Sequence, residues 1–227
     1  VEGRVKLDLH VHTTHSDGLS TVREVLKACR KAGLDGVAIT DHDTVTGALE
    51  ALRAKPRDLI VVPGVEVTTS RGHVVALGVT EPVKSGMTVP ETVEAIHDLG
   101  GLAVIAHPYD VFRDGMGFKD AEGSGADAVE VMNAMSRPFS ICSWLARRLS
   151  ERLGVPGVAG SDAHSADAVG YGYTVLEAGS GVDDVLDCLR RGVVGVFCRP
   201  YPISRRLRNF LRRLRRPSPA GTSPSLC

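Results

Sequence analysis

The order of apolar runs along this chain constrains its fold more than any other feature. Short β-like runs occur at "VKLDLH" (5–10), "GVAIT" (36–40), "LIVVPGVEV" (59–67), "LAVIAH" (102–107), "AVEVM" (128–132), "GVAGS" (157–161), "GYTVLE" (172–177) and "VVGVF" (193–197). Between them lie amphipathic stretches around 21–32, 44–55, 89–99, 138–153 and 182–191. Continuously apolar strands alternating with helices predict an α/β fold with a parallel sheet covered by helices. Two helix starts carry capping boxes, Thr21 with Glu24 and Thr88 with Glu91, and Gly33, Gly100, Gly154 and Gly192 close helices. "EVTTSRGHVVALGV" (66–79) breaks the rhythm and reads as a β-hairpin turning at Arg71 and Gly72.

The ionisable residues discriminate among α/β architectures. His10 and His12 end the first run, Asp41 and His42 follow the second, Glu66 ends the third, and His73 sits in its hairpin. His107 ends the fourth run, Glu130 and Asn133 the fifth, and Asp162 and His164 follow the sixth. A β/α barrel gathers the carboxyl ends of all its strands on one face. An open doubly wound sheet collects ligands near one switch point instead, so the spread predicts a barrel. No strand leads into G-x-G-x-x-G or a P-loop, which argues against a dinucleotide or Walker-type site.

The segment "DLHVHTTHSDG" (8–18) is the densest of these clusters. Leu7 to Val11 alternates like a strand, so His10 and His12 would point the same way, with Asp17 just beyond. Two co-directed imidazoles are a common beginning for a zinc, manganese or iron site. A single histidine beside a strand is as readily a hydrogen-bonded core or surface group. Six of the eight histidines at strand ends, with Asp17, Glu66 and Asp162 beside them, are harder to explain that way. Without a cation such a cluster suffers desolvation and like-charge repulsion. His97, inside an amphipathic stretch, fits the plain reading, and His15 stays open.

Composition bounds the setting. At 227 residues the chain fits one domain, and no apolar run approaches a membrane span. No charged-then-apolar leader of the signal-peptide type opens it. Cys29, Cys142, Cys188, Cys198 and Cys227 are odd in number and scattered, which suggests a reducing cytoplasm rather than a disulfide framework. Net charge is zero but uneven: "RRLRNFLRRLRR" (205–216) holds seven arginines, leaving about −7 on the remainder. Leu207, Phe210, Leu211 and Leu214 recur there at helical spacing. The expected organisation is a barrel over 1–204, a basic amphipathic helix over 205–216 and a disordered Pro/Ser-rich tail over 217–227. The helix has two open roles: docking its apolar stripe on the barrel with solvated arginines, or presenting a cationic face to nucleic acid.

Taken in order, "HVHTTHSDG", "TDHD", "GVE", a following histidine, "AHP" and "SDAH" resemble the PHP (polymerase and histidinol phosphatase) metal-dependent phosphoesterases. The resemblance covers roughly residues 5 to 198. It implies a distorted (β/α)7 barrel holding two to three divalent ions at the carboxyl ends of the strands. By position, His10, His12, Glu66 and Asp162 would hold the first ion. Glu66 would bridge to a second bound by His73 and His107, and Asp17, His42 and His164 would hold the third. Such a donor set suits Zn, Mn or Fe. The implied reaction is hydrolysis of a phosphate ester by a hydroxide shared between bridged ions. Asp41 is expected to hold a histidine ring rather than a metal. Asn133 and Arg137 are candidates for touching the phosphate or leaving group, although Arg137 is equally an exposed residue opening a helix.

Nucleotide-hydrolysing relatives with this pattern carry a long helical insertion after "H-x-x-x-L-G", and here "HVVALG" runs directly into the next helix. The site is therefore expected to be open, with 109–125 either a partial lid or a plain connector. An alternative is a non-catalytic metal-binding or interaction module on the same barrel, but degenerate members would be expected to lose ligands and all nine are present. A carbon–nitrogen hydrolase of the amidohydrolase type would more typically show a lysine or another bridging base where this chain has "AVIAHP".

Overall fold

The computed structural model describes residues 3–54, 56–113, 115–179, 181–192 and 195–214. In chain order the elements are β1 (Gly3–Asp8), α1 (Val22–Lys31), β2 (Gly36–Ile39), α2 (Thr46–Ala54), β3 (Ile60–Thr68), β4 (His73–Leu77), α3 (Val89–Asp98) and β5 (Leu102–Ile105). They continue with α4 (Phe118–Ala121), β6 (Ala128–Asn133), α5 (Phe139–Leu153), β7 (Gly157–Gly160), β8 (Gly172–Ala178), α6 (Val182–Arg191), β9 (Gly195–Cys198) and α7 (Ile203–Leu214). Both expected capping boxes form: the Thr21 amide donates to Glu24 Oε2 (2.8 Å) and the Thr88 amide to Glu91 Oε2 (2.9 Å).

All nine strands join one sheet in the order β7-β6-β5-β4-β3-β2-β1-β8-β9. The sheet is mixed: β4 reverses direction as the hairpin at 66–79 requires, whereas the reversal of β8 departs from the expected parallel pattern. β4 runs antiparallel to β3 and β5, and β8 antiparallel to β1 and β9. For β4 the reason is connection length. The turn between β3 and β4 closes through the Thr69 amide on the Gly72 carbonyl (3.0 Å), and so short a turn can only send the chain back alongside itself.

The sheet curls until its two halves meet. Just past their ladders, β1 and β7 are joined by a parallel bridge between Val11 and Ala163, with the His12 amide donating to the Ala163 carbonyl at 2.9 Å. Toward the other end β8 wedges between them, and Thr174 Oγ1 bonds both the amide and the carbonyl of Ala159 (2.9 and 3.0 Å). The result is a nearly closed, distorted barrel. Leu7, Leu9, Ala38, Val62, Val75, Leu77, Val104 and Val158 fill its interior, and Val185, Leu186 and Leu189 of α6 join that cluster and plug the amino-terminal end. α1 and α2 cover the β1–β3 side, while α3 and α5 cover β4–β6. With one end plugged, the carboxyl ends are left as the accessible mouth.

Two further segments shape that mouth. The second half of 109–125 is packed rather than loose, with Met116 and Ala121 buried and the Arg152 guanidinium 3.5 Å over the Phe118 ring. α7 lies across the loops that follow β6, β7 and β1, and it docks by its arginines. Arg206 donates to the carbonyls of Ala134 (2.7 Å), Met135 (2.8 Å) and Tyr201 (2.9 Å). Arg208 meets Asp167 and Arg213 meets Asp17. Ile203, Leu207, Phe210, Leu211 and Leu214 are exposed, Ile203 at 82%. Docking through the apolar stripe is thus overturned: the helix meets the barrel through Arg206, Arg208 and Arg213, while Arg212 is exposed. The loop ends supply carbonyls and carboxylates that need donors, and guanidinium groups satisfy them. Residues 215–216, the tail over 217–227 and positions 193–194 of the last β-like run lie outside the described residues. Among the described residues no helix is long and apolar enough to cross a membrane.

Candidate metal centre

The centre is assembled from backbone junctions at the barrel mouth. The β1 ladder stops at Asp8, a buried carboxylate accepting the amides of Ser161 (2.8 Å) and Gly170 (2.9 Å), so β1 is tied to the loop after β7. Burial pushes its pKa up to about 6. Just beyond, the rings of His10 and His12 lie 5.1 Å apart by centroid. Asp41 accepts from the amide and hydroxyl of Thr13 and from Ser16 Oγ, each at 2.7 Å. It therefore fixes the turn between His12 and Asp17 instead of holding a histidine ring, as its sequence position suggested. A Cβ at Gly47 would sit 2.0 Å from Asp41 Oδ2, so only glycine lets α2 approach this turn.

The remaining donors come from the neighbouring strands. A bridge between His42 and Glu66 extends β2 alongside β3. His73 begins β4 rather than ending it, and reaches the same face because β4 runs the opposite way. His107 and Asp162 follow β5 and β7. Asp43, His107, Tyr109 and Asp162 are the non-glycine residues with positive φ among the described residues, at 53°, 27°, 64° and 53°. All four lie in or beside this cluster, where strained backbone is characteristic of functional sites.

Glu66 stands at the middle. Its Oε2 lies 3.1 Å from His10 Nε2, 3.1 Å from His12 Nε2 and 3.4 Å from His42 Nδ1. Its Oε1 lies 2.9 Å from His107 Nε2 and 3.4 Å from His73 Nδ1. One carboxylate thus faces two separate imidazole sets. Asp162 Oδ1 lies 3.4 Å from His12 Nε2, and Asp17 Oδ2 lies 3.0 Å from His164 Nε2. Three groups have donor atoms within 4.8 Å of one another: His10, His12 and Glu66; Glu66, His73 and His107; and His12, Asp17, His42 and His164. All nine residues expected as ligands converge here, with His12 reaching toward two groups.

Charge and hydrogen bonding fit divalent cations. His12 Nδ1 and Nε2, His10 Nε2 and Asp162 Oδ1 are buried without a hydrogen bond, although buried polar atoms are nearly always bonded. Burial pushes His42 and His164 down to about 3, leaving neutral imidazoles. Burial opposes ionisation of Asp17 and Glu66, yet facing imidazoles hold both well below the usual carboxylate range. Burial also opposes a charge on His10, but Glu66 and Glu130 outweigh it and push that ring up to about 10. Carboxylates that draw a proton onto a buried imidazole have a deficit of positive charge, which a cation would fill.

Two residues here were not singled out from sequence. Glu130, already placed at a strand end, has its Oε1 3.1 Å from His10 Nδ1, and its Oε2 accepts from the His107 amide (2.8 Å) and Asn133 Nδ2 (2.9 Å). A glutamate inside the apolar run "AVEVM" was the available signal. Arg113 is ion-paired with Asp162, and no periodicity marks it. Asn133 is buried in the site, also donating to Asp162 Oδ2 (3.0 Å). Arg137 is exposed, its guanidinium 4.8 Å over the Phe112 ring. His97 pairs with Asp127 (2.8 Å) and His15 with Glu50 (2.7 Å), both apart from the cluster.

A nearly closed barrel with a histidine–carboxylate cluster at its strand ends is the architecture of barrel proteins built around metal ions. Compared with known families, residues 8–110 match the PHP domain and 144–194 a PHP-associated region. An uncharacterized protein of Methanocaldococcus jannaschii is 35% identical over 145 residues, covering 59% of this chain and 84% of that one. The chain belongs to the PHP family. A phosphoribosyl 1,2-cyclic phosphate 1,2-diphosphodiesterase of Eggerthella lenta is 41% identical over 81 residues, covering 33% of this chain and only 31% of that enzyme. In fold, the chain is similar to a two-domain Bacteroides vulgatus protein containing a predicted PHP-like metal-dependent phosphoesterase. That likeness has a TM-score of 0.71 at 16% identity and covers 93% of this chain and 70% of the other.

Proposed function

We propose that this protein is a metal-dependent phosphoesterase, hydrolysing phosphate monoesters with two to three divalent ions of Zn, Mn or Fe. The observation that carries the reading is Glu66, whose two oxygens address two imidazole sets. His10, His12, Glu66 and Asp162 are assigned to one ion, Glu66, His73 and His107 to a second, and Asp17, His42 and His164 to a third. Ions held there supply Lewis acidity, offsetting phosphoryl charge and making water a nucleophile near neutral pH. The protein's part is positional. Glu130 takes the Nδ1 proton of His10 as a hydrogen bond and so turns Nε2 toward the centre. Asn133 holds one oxygen of Asp162 and leaves the other to face His12. The Asp162 carbonyl lies 2.9 Å from His164 Nδ1, which directs Nε2 of that ring to Asp17.

The test is metal analysis paired with turnover of a generic aryl phosphate. Exhaustive chelation is expected to abolish turnover, and added Mn or Zn to restore it. Undiminished turnover by demonstrably metal-free protein would refute the reading. A metal-loaded protein inert toward every phosphate ester tried would point to a binding module instead.

A further inference from the structure

α7 holds the barrel with its polar side and turns its apolar side outward. Ile203, Leu207, Phe210, Leu211 and Leu214 fall on one helical face and are all exposed, Leu214 at 67%. Helical spacing puts Arg208 and Arg212 along one border of this stripe and Arg206 and Arg213 along the other. Arg208 and Arg213 stay half-exposed in spite of their pairs with Asp167 and Asp17, and Arg212 is exposed. The stripe has a neighbour on the same mouth. Val111 and Phe112, on the loop that follows β5, are exposed at 77% and 59%. Phe112 lies under the Arg137 guanidinium, close in the chain to the Met135 carbonyl that Arg206 holds.

Charge decides what such a face fits. Residues 205–216 hold seven arginines and no acid in a chain of zero net charge, so the remainder carries about −7. Asp167 and Asp17, the acids that α7 touches, are already paired with its arginines. A second copy packed stripe to stripe would set arginines against arginines, with no acid on either helix between them. Nucleic acid needs guanidinium groups turned outward, whereas Arg206, Arg208 and Arg213 donate to the barrel and the outward residues are aliphatic or aromatic. An anionic bilayer matches both parts of the face. Its acyl boundary takes the apolar stripe, and its headgroups take the bordering arginines, whose stems lie along that boundary. We propose that α7 seats the protein on an anionic membrane surface, with the barrel mouth turned toward the lipid. The acidic remainder is repelled by such a surface, which leaves α7 as the face that approaches. The contact is peripheral, because 12 residues are too few to span a bilayer. It does not depend on the metal centre being catalytic.

Flotation of the full chain with vesicles tests this. Phosphatidylcholine vesicles carrying about one-third phosphatidylserine are expected to bind the protein, pure phosphatidylcholine vesicles far less, and added salt to narrow the difference. Replacing Leu207 and Phe210 together by serine leaves the core untouched and should lower the affinity about tenfold or more. Arg212→Ser should lower it about fivefold. No binding to the anionic vesicles at low salt would overturn the proposal, as would undiminished binding by the folded double variant. A wild-type dimer in light scattering that the double variant abolishes, without vesicle binding, would overturn it and make the stripe an interface between copies. So would binding of a ribo-oligonucleotide that is tighter than vesicle binding and untouched by the double substitution.

Discussion

Replacing Glu130 by glutamine probes how the centre is held without removing a proposed ligand. The carboxylate is buried and used on both oxygens, toward His10 Nδ1 on one side and toward the His107 amide and Asn133 Nδ2 on the other. Glutamine keeps the shape but has one acceptor and one donor end. If its NH2 faces His10, Nδ1 must become the acceptor. The proton then moves to Nε2, and the lone pair aimed at the centre is lost. If its oxygen faces His10 instead, the NH2 confronts two donors, and buried groups lose their partners. Both orientations penalise the metal-bound state. Removing such a supporting partner costs about 10- to 100-fold in metal affinity, or about 1.4–2.7 kcal/mol. Competition against a chromogenic chelator measures it, and nitrogen-15 spectra of His10 report which ring nitrogen carries the proton. A folded Glu130→Gln protein with wild-type affinity for every ion and an unmoved His10 tautomer would refute this account.

Glu66→Ala should be among the most damaging single changes, depleting ions from two sets at once. His97→Ala, which breaks only the partly exposed pair with Asp127, should leave metal content and turnover near wild type. Elemental analysis of both variants decides, and metal loss in His97→Ala but not in Glu66→Ala would overturn the site assignment. Arg206→Ala should loosen α7, since three backbone carbonyls lose a charged donor that is itself partly exposed, a local cost of about 2 kcal/mol. Hydrogen exchange over 203–214 should accelerate in that variant but not in Leu207→Ser. The reverse pattern would mean that the apolar stripe holds the helix.

Much of this protein is legible one residue at a time. Strands 36–39 and 102–105, helices such as 139–153 and the hairpin turn at Gly72 follow from local periodicity and turn chemistry, which act over a few residues and leave their mark in order. The candidate ligands were also visible, because a barrel brings the ends of consecutive strands to one face whatever else it does. Strand direction was less so. β8 reads as apolar whichever way it runs, and only its pairing shows that it lies antiparallel to β1 and β9.

What tertiary structure alone decided depends on partners far apart in the chain. Glu130 takes its meaning from His10, 120 positions away, and Asp41 from Thr13 and Ser16 rather than from the adjacent His42. The sequence shows an arginine face and an apolar face on α7 and has no means of ranking them. Carbonyls at Ala134 and Met135 and the carboxylates of Asp167 and Asp17 drew the arginines to the barrel. Periodicity shows where a helix divides its surface. Which half meets the barrel depends on the acceptors that other parts of the fold place beside it.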